Sequence, residues 1–163
     1  MLIFFLHSLL SFVSKLSMVF LHSLIFNPSS CPRWKFNCCA CICRGGLTFD
    51  PEEALAFLSK YCKWAVVTLA SKGCLAKHGK QVVQVPAIGE SNAVDATGAG
   101  DLFASGFLYG LVKGLPLEEC CKVGACSGGS VIRALGGEVR PENWQWMYKQ
   151  MHAGGLVPPE LKN

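Results

Sequence analysis

The pattern of apolar and polar residues divides this chain at about residue 47. Residues 1–26 are almost continuously apolar, whereas after residue 48 short apolar runs alternate with polar or glycine-rich turns. Asp50 and Pro51 are typical of a helix start, with Asp50 as the N-cap and Pro51 in the first turn. The pattern therefore predicts an apolar leader followed by a folded portion.

The second part of the chain alternates between β-type and helix-type patterns. Strands are rich in β-branched residues and bounded by glycine, and helices repeat apolar positions every three to four residues. His78-Gly79-Lys80 separates two short strands and predicts a hairpin turn. Such alternation indicates the α/β class, with a doubly wound, mostly parallel sheet. The elements predicted after Pro51 are a strand over 64–69, hairpin strands over 74–77 and 81–85, and helices over 101–112, 117–134 and 141–151.

Charge excludes one class of function. The whole formal charge of +4 comes from residues 1–49, which contain four basic residues and no acidic residue; the rest holds eleven of each sign. A nucleic-acid-binding domain normally carries a basic patch, so a neutral globular part with scattered lysines predicts no nucleic-acid partner.

The ten cysteines fall into two groups of five. The first group crowds the leader and has no nearby second half of the kind that a zinc site needs. The second group lies in apolar or helical context, where free cysteine behaves as a small buried hydrophobe, and it predicts no disulfide framework. Its members are Cys62, Cys74, Cys120, Cys121 and Cys126.

The most informative segment is the glycine-rich stretch from Asp95 to Asp101, which runs into the helix predicted over 101–112. Small residues let the backbone approach a ligand, and the first N–H groups of a helix have no intrahelical acceptor. Those donors and the helix dipole favour a bound phosphate. A carboxylate in such an anion site indicates chemistry, because Asp101 could accept the proton of a hydroxyl that attacks the phosphoryl group.

The sequence Asp-Ala-Thr-Gly-Ala-Gly-Asp over 95–101 resembles the second signature of the ribokinase-like (pfkB) carbohydrate and nucleoside kinases, written D-T-x-G-A-G-D. Residues 64–73 resemble that family's strand and nucleotide loop. Residues 124–133 resemble its late helix, in a style similar to adenosine kinases. The resemblance covers residues 48–151 and corresponds to the C-terminal portion of such an enzyme.

The resemblance implies an ATP- and Mg²⁺-dependent kinase whose acceptor is the hydroxyl group of a small sugar or nucleoside. Asp101 would be the general base, and the backbone amides of Gly98, Ala99, Gly100 and Asp101 would form the anion hole. The family's magnesium motif, N-x-x-E, is absent, because no Asn in this chain is followed three residues later by Glu.

The resemblance also implies sites for nucleotide and for a monovalent cation such as K⁺. Each implied site has a structural alternative. Asp95 and Thr97 would bind the cation, or Asp95 would hold the loop as an Asx-turn residue. Thr68, Ser71 and Gly73 would contact nucleotide, or form an ordinary turn after a strand. Ala125 and Ser130 would pass beside the adenine, or serve close helix packing.

Three segments follow from these patterns: a leader over 1–47, a partial kinase domain over 48–152 and a tail over 153–163. Residues 1–26 are long enough to span a bilayer of about 30 Å as a helix. We expect the leader to be a membrane segment or, as the favoured alternative, the product of an incorrect gene model. The kinase-like part is expected to be cytoplasmic, or membrane-anchored or organellar if the leader is genuine. A truncated chain that binds nucleotide without catalysis is the alternative function.

Overall fold

The computed structural model describes the backbone of residues 40–44 and, with few side-chain exceptions, residues 50–156. The apolar segment over 1–26 and the end of the tail from residue 157 lie outside the described residues. The division of the chain into leader, domain and tail therefore stays a prediction.

Four strands form one sheet in the order β1-β2-β3-β4. Strand β1 (Ala40–Arg44), which falls within the predicted leader, pairs in parallel with β2 (Trp64–Thr68). The predicted hairpin is present as β3 (Cys74–His78) and β4 (Gln81–Val85). Strand β3 pairs with β2 on one side and with β4 on the other, and both pairings are antiparallel. The register places Thr68 beside Cys74 and Cys74 beside Val85, so β2 and β4 end at the same edge of the sheet.

Helices cover both faces of this sheet. Helix α1 (Pro51–Leu58) packs Ala54 and Leu55 against Ala65, Val67 and Leu75 on one face. On the other face, Phe103 and Phe107 of α2 (Ala99–Val112) and Leu117 of α3 (Leu117–Val131) pack against a second apolar cluster. The sheet residues of that cluster are Val66, Cys74, Ala76 and Val85. The α/β class is confirmed.

Helices α2 and α3 pack against each other in antiparallel directions with glycines at the contact. A Cβ on Gly106 would meet the side chain of Ser127, and one on Gly110 would come within 2.9 Å of the Cys120 Cα. A Cβ on Gly128 would lie 3.0 Å from the Ala99 carbonyl oxygen. The carboxyl end of α3 therefore lies beside the amino end of α2. A last helix, α4 (Pro141–Ala153), covers α3 through Met147 and Met151.

The element bounds differ from the predicted ones at a few ends. Helix α2 begins at Ala99 rather than Asp101, so Asp101 lies inside its first turn. Helix α3 ends at Val131, and residues 132–138 form turns and bends that the sequence pattern partly assigned to the helix. Asp50 is confirmed as an N-cap, since its Oδ1 accepts a hydrogen bond from the Glu52 N–H at 3.0 Å.

Four of the five cysteines in the folded part are buried and free, as expected: Cys74, Cys120, Cys121 and Cys126. Burial raises the pKa of the Cys126 thiol to about 11, as it does for an inert core cysteine. The prediction was wrong for Cys62, which is disulfide-bonded. No helix within the described part of the chain has the length and apolar character needed to cross a membrane.

Candidate active site

The signature loop is attached to the end of helix α3. The backbone N–H groups of Val94 and Asp95 both donate to the Ile132 carbonyl oxygen, at 2.7 and 3.2 Å. Ile132 directly follows the last residue of α3. The chain that leaves β4 thus crosses the carboxyl end of α3 before it enters α2.

Asp95 joins two loops through its side chain. Its Oδ1 accepts hydrogen bonds from the Thr97 N–H at 2.9 Å and the Thr97 hydroxyl at 2.7 Å. Its Oδ2 accepts a hydrogen bond from the Gly136 N–H at 2.9 Å. The Gly136 bond, followed by those of Thr97, holds the pKa of the Asp95 carboxyl below its ordinary value. Because all three donors favour the ionised form, the carboxylate stabilises this loop pair while it is charged.

Gly98 makes the turn from this loop into helix α2. Its φ of +79° lies in the left-handed region that favours glycine. A Cβ at this position would lie 3.1 Å from the Gly137 Cα, so Gly98 and Gly137 approach each other backbone to backbone. The Gly98 carbonyl accepts the first helical hydrogen bond, from the Leu102 N–H at 2.9 Å.

Asp101 lies at the third position of α2 and is half-buried. Its backbone carbonyl accepts a hydrogen bond from the Ser105 hydroxyl at 2.8 Å. Of the amides predicted to form the anion hole, that of Ala99 donates within the loop, to the Ala96 carbonyl at 3.2 Å. The Gly100 N–H has no backbone acceptor among residues 50–156, which is the state expected for a first-turn amide. The structure thus brings Gly98, Ala99, Gly100 and Asp101 together at one helix end.

The residues predicted to contact nucleotide lie at the edge of the sheet where β2 and β4 end. Thr68 is the last residue of β2, and Ser71 lies in a short 3-10 turn, Ala70–Lys72. Gly73 has a φ of +91°, and a Cβ there would overlap the Val85 carbonyl, so only glycine fits. In open α/β sheets, ligands bind beyond the carboxyl ends of the strands, which is where these residues lie.

Ala125 and Ser130 lie inside the packing of α3. Ala125 belongs to the core cluster that contains Phe103, and Ser130 is fully buried. The Ser130 hydroxyl donates to the Ser127 carbonyl at 2.7 Å. These contacts are the ones expected from the helix-packing alternative, and the role beside the adenine stays a prediction.

Sequence reasoning missed the part that Gly136 and Gly137 play in this site. Both glycines follow the helix predicted over 117–134, and their backbone receives Asp95 and Gly98. The signal that could have identified them is a double glycine after a helix rich in small residues, since Gly136 has a φ of +90°.

A cavity of about 390 Å³ lies away from this loop. Lys63, Lys77 and His78 are among its lining residues, at the sheet edge opposite Thr68, and Asp101 does not line it. His78 also stacks on Trp64, with 3.7 Å between ring centroids, at the end of β3 rather than in the turn. Across the described residues, no group of three His, Cys, Asp or Glu side chains could hold a metal ion.

Comparisons with known proteins agree on one family. The profile of the pfkB family carbohydrate kinases matches residues 41–143. A nucleoside kinase of Methanocaldococcus jannaschii is 33% identical over 86 residues, which are 53% of this chain and 28% of that relative.

Two solved structures extend this likeness to the fold. A probable sugar kinase of Rhizobium etli has a TM-score of 0.63 and 35% identity, over 72% of this chain and 36% of that structure. The adenosine kinase of Sinorhizobium meliloti has a TM-score of 0.60 and 34% identity, over 68% of this chain and 36% of that structure. The expected ribokinase-like fold is thereby confirmed, and the chain spans about a third of the length of these relatives. Since the family profile matches more than half of its residues, the chain belongs to the pfkB family of carbohydrate kinases.

Proposed function

We propose that this protein is an ATP-dependent phosphotransferase whose acceptor is the hydroxyl group of a sugar or nucleoside. The observation that carries the proposal is the position of Asp101 in the first turn of α2, directly after the Gly98–Gly100 turn. A half-buried carboxylate beside helix N-terminal amides can meet a hydroxyl and a phosphoryl group at the same place. The names of the matched relatives, a nucleoside kinase, a sugar kinase and an adenosine kinase, support this acceptor class.

Asp101 acts in this proposal as the general base. It accepts the proton of the acceptor hydroxyl as the oxygen attacks phosphorus, and ATP supplies the phosphoryl group that is transferred. The amides at the start of α2 stabilise the negative charge on the phosphoryl oxygens. Gly100 is the clearest donor, because its N–H has no backbone acceptor among residues 50–156.

The proposal also assigns residues to the nucleotide and to the metal ion. Thr68, Ser71 and Gly73 are assigned to the nucleotide because they lie at the edge of the sheet where β2 and β4 end. Mg²⁺ would be held mainly by phosphate oxygens and water, as is common for this ion, since the described residues offer no cluster of three protein ligands.

A K⁺ site is assigned to Asp95 and Thr97 with a specific restriction. The Asp95 oxygens already accept three hydrogen bonds, of the roughly four that a carboxylate can accept. A cation would therefore share this carboxylate with the Gly136 N–H.

The second candidate function is nucleotide binding without catalysis. The chain spans 28% of one relative and 36% of another, so the activity of those whole proteins comes to it only as a proposal. A phosphotransferase must exclude water and orient its acceptor, and both tasks require a closed site.

The test is a kinase assay on the purified chain with ATP, Mg²⁺ and a panel of sugars and nucleosides. We expect Asp101→Asn to lower kcat by roughly 10²- to 10⁴-fold with ATP affinity retained, because the substitution removes the base and keeps the shape. Glu142→Gln is the matched control, since Glu142 is also an acidic residue in the first turn of a helix, α4.

The possible results separate the two functions. Turnover that Asp101→Asn abolishes and Glu142→Gln leaves intact supports catalysis. ATP binding without turnover on any acceptor supports the second function. A chain that neither binds ATP nor transfers phosphate contradicts both.

A further inference from the structure

Arg133 stacks on an aromatic ring of the last helix. Its guanidinium carbon lies 4.4 Å from the centroid of the Trp146 ring, well inside the distance at which a cation is attracted to a ring face. Both side chains are half-buried. Arg133 belongs to the segment 132–137 that follows α3, so this contact joins that segment to α4.

The outer edge of the Trp146 ring lies against the backbone of two chain segments. A Cβ on Gly89 would lie 2.7 Å from the Trp146 Cη2 atom, and one on Gly129 would lie 3.2 Å from the same atom. Gly89, with a φ of +86°, precedes the signature loop, and Gly129 lies near the end of α3. The ring edge therefore contacts the segment before the signature loop and the end of α3, the two segments that meet at Asp95.

The segment 132–137 is anchored unevenly. Ala134 is buried, whereas Leu135, Gly136 and Gly137 are exposed. Its main chain reaches the signature loop at two points, the Ile132 carbonyl and the Gly136 N–H, and Arg133 lies between them in sequence. The stack on Trp146 thus adds a side-chain attachment to the burial of Ala134 and the two main-chain hydrogen bonds.

We propose that Arg133 is a positioning residue that fixes the segment 132–137 against the signature loop through its stack on Trp146. With the stack in place, the Gly136 N–H keeps its hydrogen bond to the Asp95 carboxylate, and the Gly137 backbone keeps its contact with Gly98. Any effect of this stack on phosphate binding at the start of α2 rests on the proposed function. The arrangement needs a planar cation, and lysine replaces arginine poorly in a stack.

The test is amide hydrogen exchange, followed by NMR, on the full chain without nucleotide. We expect Arg133→Ala to accelerate exchange of the Gly136 amide about two- to fivefold, the effect of losing one cation–π contact on a local opening equilibrium. The Val67 amide, in a central strand, should exchange at an unchanged rate, because local opening does not depend on unfolding of the sheet. Arg133→Lys should give an intermediate rate at Gly136, and Trp146→Phe a smaller acceleration than Arg133→Ala.

Arg140→Ala is the matched control, since Arg140 is an exposed arginine just before α4, and it should leave the Gly136 amide unchanged. If Arg133→Ala does not fold, the Arg133→Lys rate decides. The proposal is overturned if neither Arg133 substitution accelerates Gly136, if Gly136 and Val67 accelerate equally, or if Gly136 is unprotected in the unaltered chain. Because no nucleotide is used, a chain that fails to bind ATP would contradict the proposed function and leave this result intact.

Discussion

The α2–α3 helix pair and the loops at its open end are held together by different physical means. Within the pair, Phe107, Leu117 and Cys120 are almost completely removed from solvent, and glycines allow the two backbones to touch. At the open end, Ala96 and Thr97 are exposed, and the two loops are joined by hydrogen bonds to the Asp95 carboxylate and the Ile132 carbonyl.

This difference shows how one helix can serve both stability and chemistry. Apolar burial and close packing along α2 hold it in place without using its first-turn amides. The loops then set the position of those amides through backbone conformation and charge. Changes in the helix pair should therefore affect the whole fold, whereas changes in the loops should act mainly on the site.

The largest effect is expected from Gly106→Val in the helix pair. A Cβ at Gly106 would come within 2.9 Å of the Val123 carbonyl oxygen, which is backbone and cannot rotate away, and would overlap Ser127. We expect the free energy of unfolding to fall by about 2–3 kcal/mol, a typical cost of overpacking a close contact. Chemical denaturation followed by circular dichroism measures it.

Gly154→Val is the control for adding the same side chain where there is room. Gly154 has a φ of −81°, and a Cβ there would make only ordinary contacts, at 3.4 Å and beyond. Its effect should stay within about 0.5 kcal/mol, as for most surface substitutions. Equal losses at the two positions would contradict the view that α2 and α3 are held by backbone contact.

A smaller effect is expected from Gly98→Ala at the open end. Alanine at a φ of +79° costs roughly 1–2 kcal/mol, and its Cβ would press on the Gly137 Cα at 3.1 Å. Differential scanning calorimetry should show a modest loss of stability, and the NMR shifts of Gly137 should move. Gly114→Ala is the control for backbone strain without a close contact, since Gly114 has a φ of +73° and open space around it. If the two variants lose the same stability and the Gly137 signals stay in place, the close approach of the two glycines is not part of the site.

Local sequence signals predicted much of the fold. The hairpin was predictable because Gly79-Lys80 lies between two β-rich runs, and Gly79 has the positive φ that such a turn needs. The start of α4 was predictable from Pro141, and the stop of α2 from Gly114 and Pro116, because these residues restrict or release the backbone in known ways.

The site could be predicted only in part. The Asp95–Asp101 signature placed the candidate base at a helix start, since its glycines and carboxylate have local meaning. The Asp95–Gly136 bond joins residues 41 positions apart, and no local pattern indicates which amide a carboxylate will meet. The disulfide of Cys62 was missed for the same reason, because a cysteine's partner is set by the fold and not by its neighbours in sequence.

The smallest effect, and the most local, is the pH dependence of the Asp95 contacts. The Gly136 and Thr97 hydrogen bonds lower the pKa of Asp95, so they favour the folded loop wherever the carboxyl is ionised. Their contribution is complete above the ordinary aspartate pKa of 3.8 and is lost as the pH falls through the lowered pKa of the folded state. The Gly136 amide resonance should therefore titrate with a midpoint below 3.8, because protonation of Asp95 weakens the acceptor of its hydrogen bond.

The measurement must be local, because Asp50 also has a lowered pKa. Hydrogen bonding with the Glu52 side chain, and then with the Glu52 N–H, causes that shift, and the titration of Asp50 changes global stability in the same pH range. Asp95→Asn should abolish the pH dependence of the Gly136 resonance, and Asp50→Asn should leave it in place. A Gly136 midpoint at or above 3.8 would mean that Asp95 gains nothing from this amide. The site would then owe its geometry to the same packing that holds the helix pair, and the contrast between the two regions would disappear.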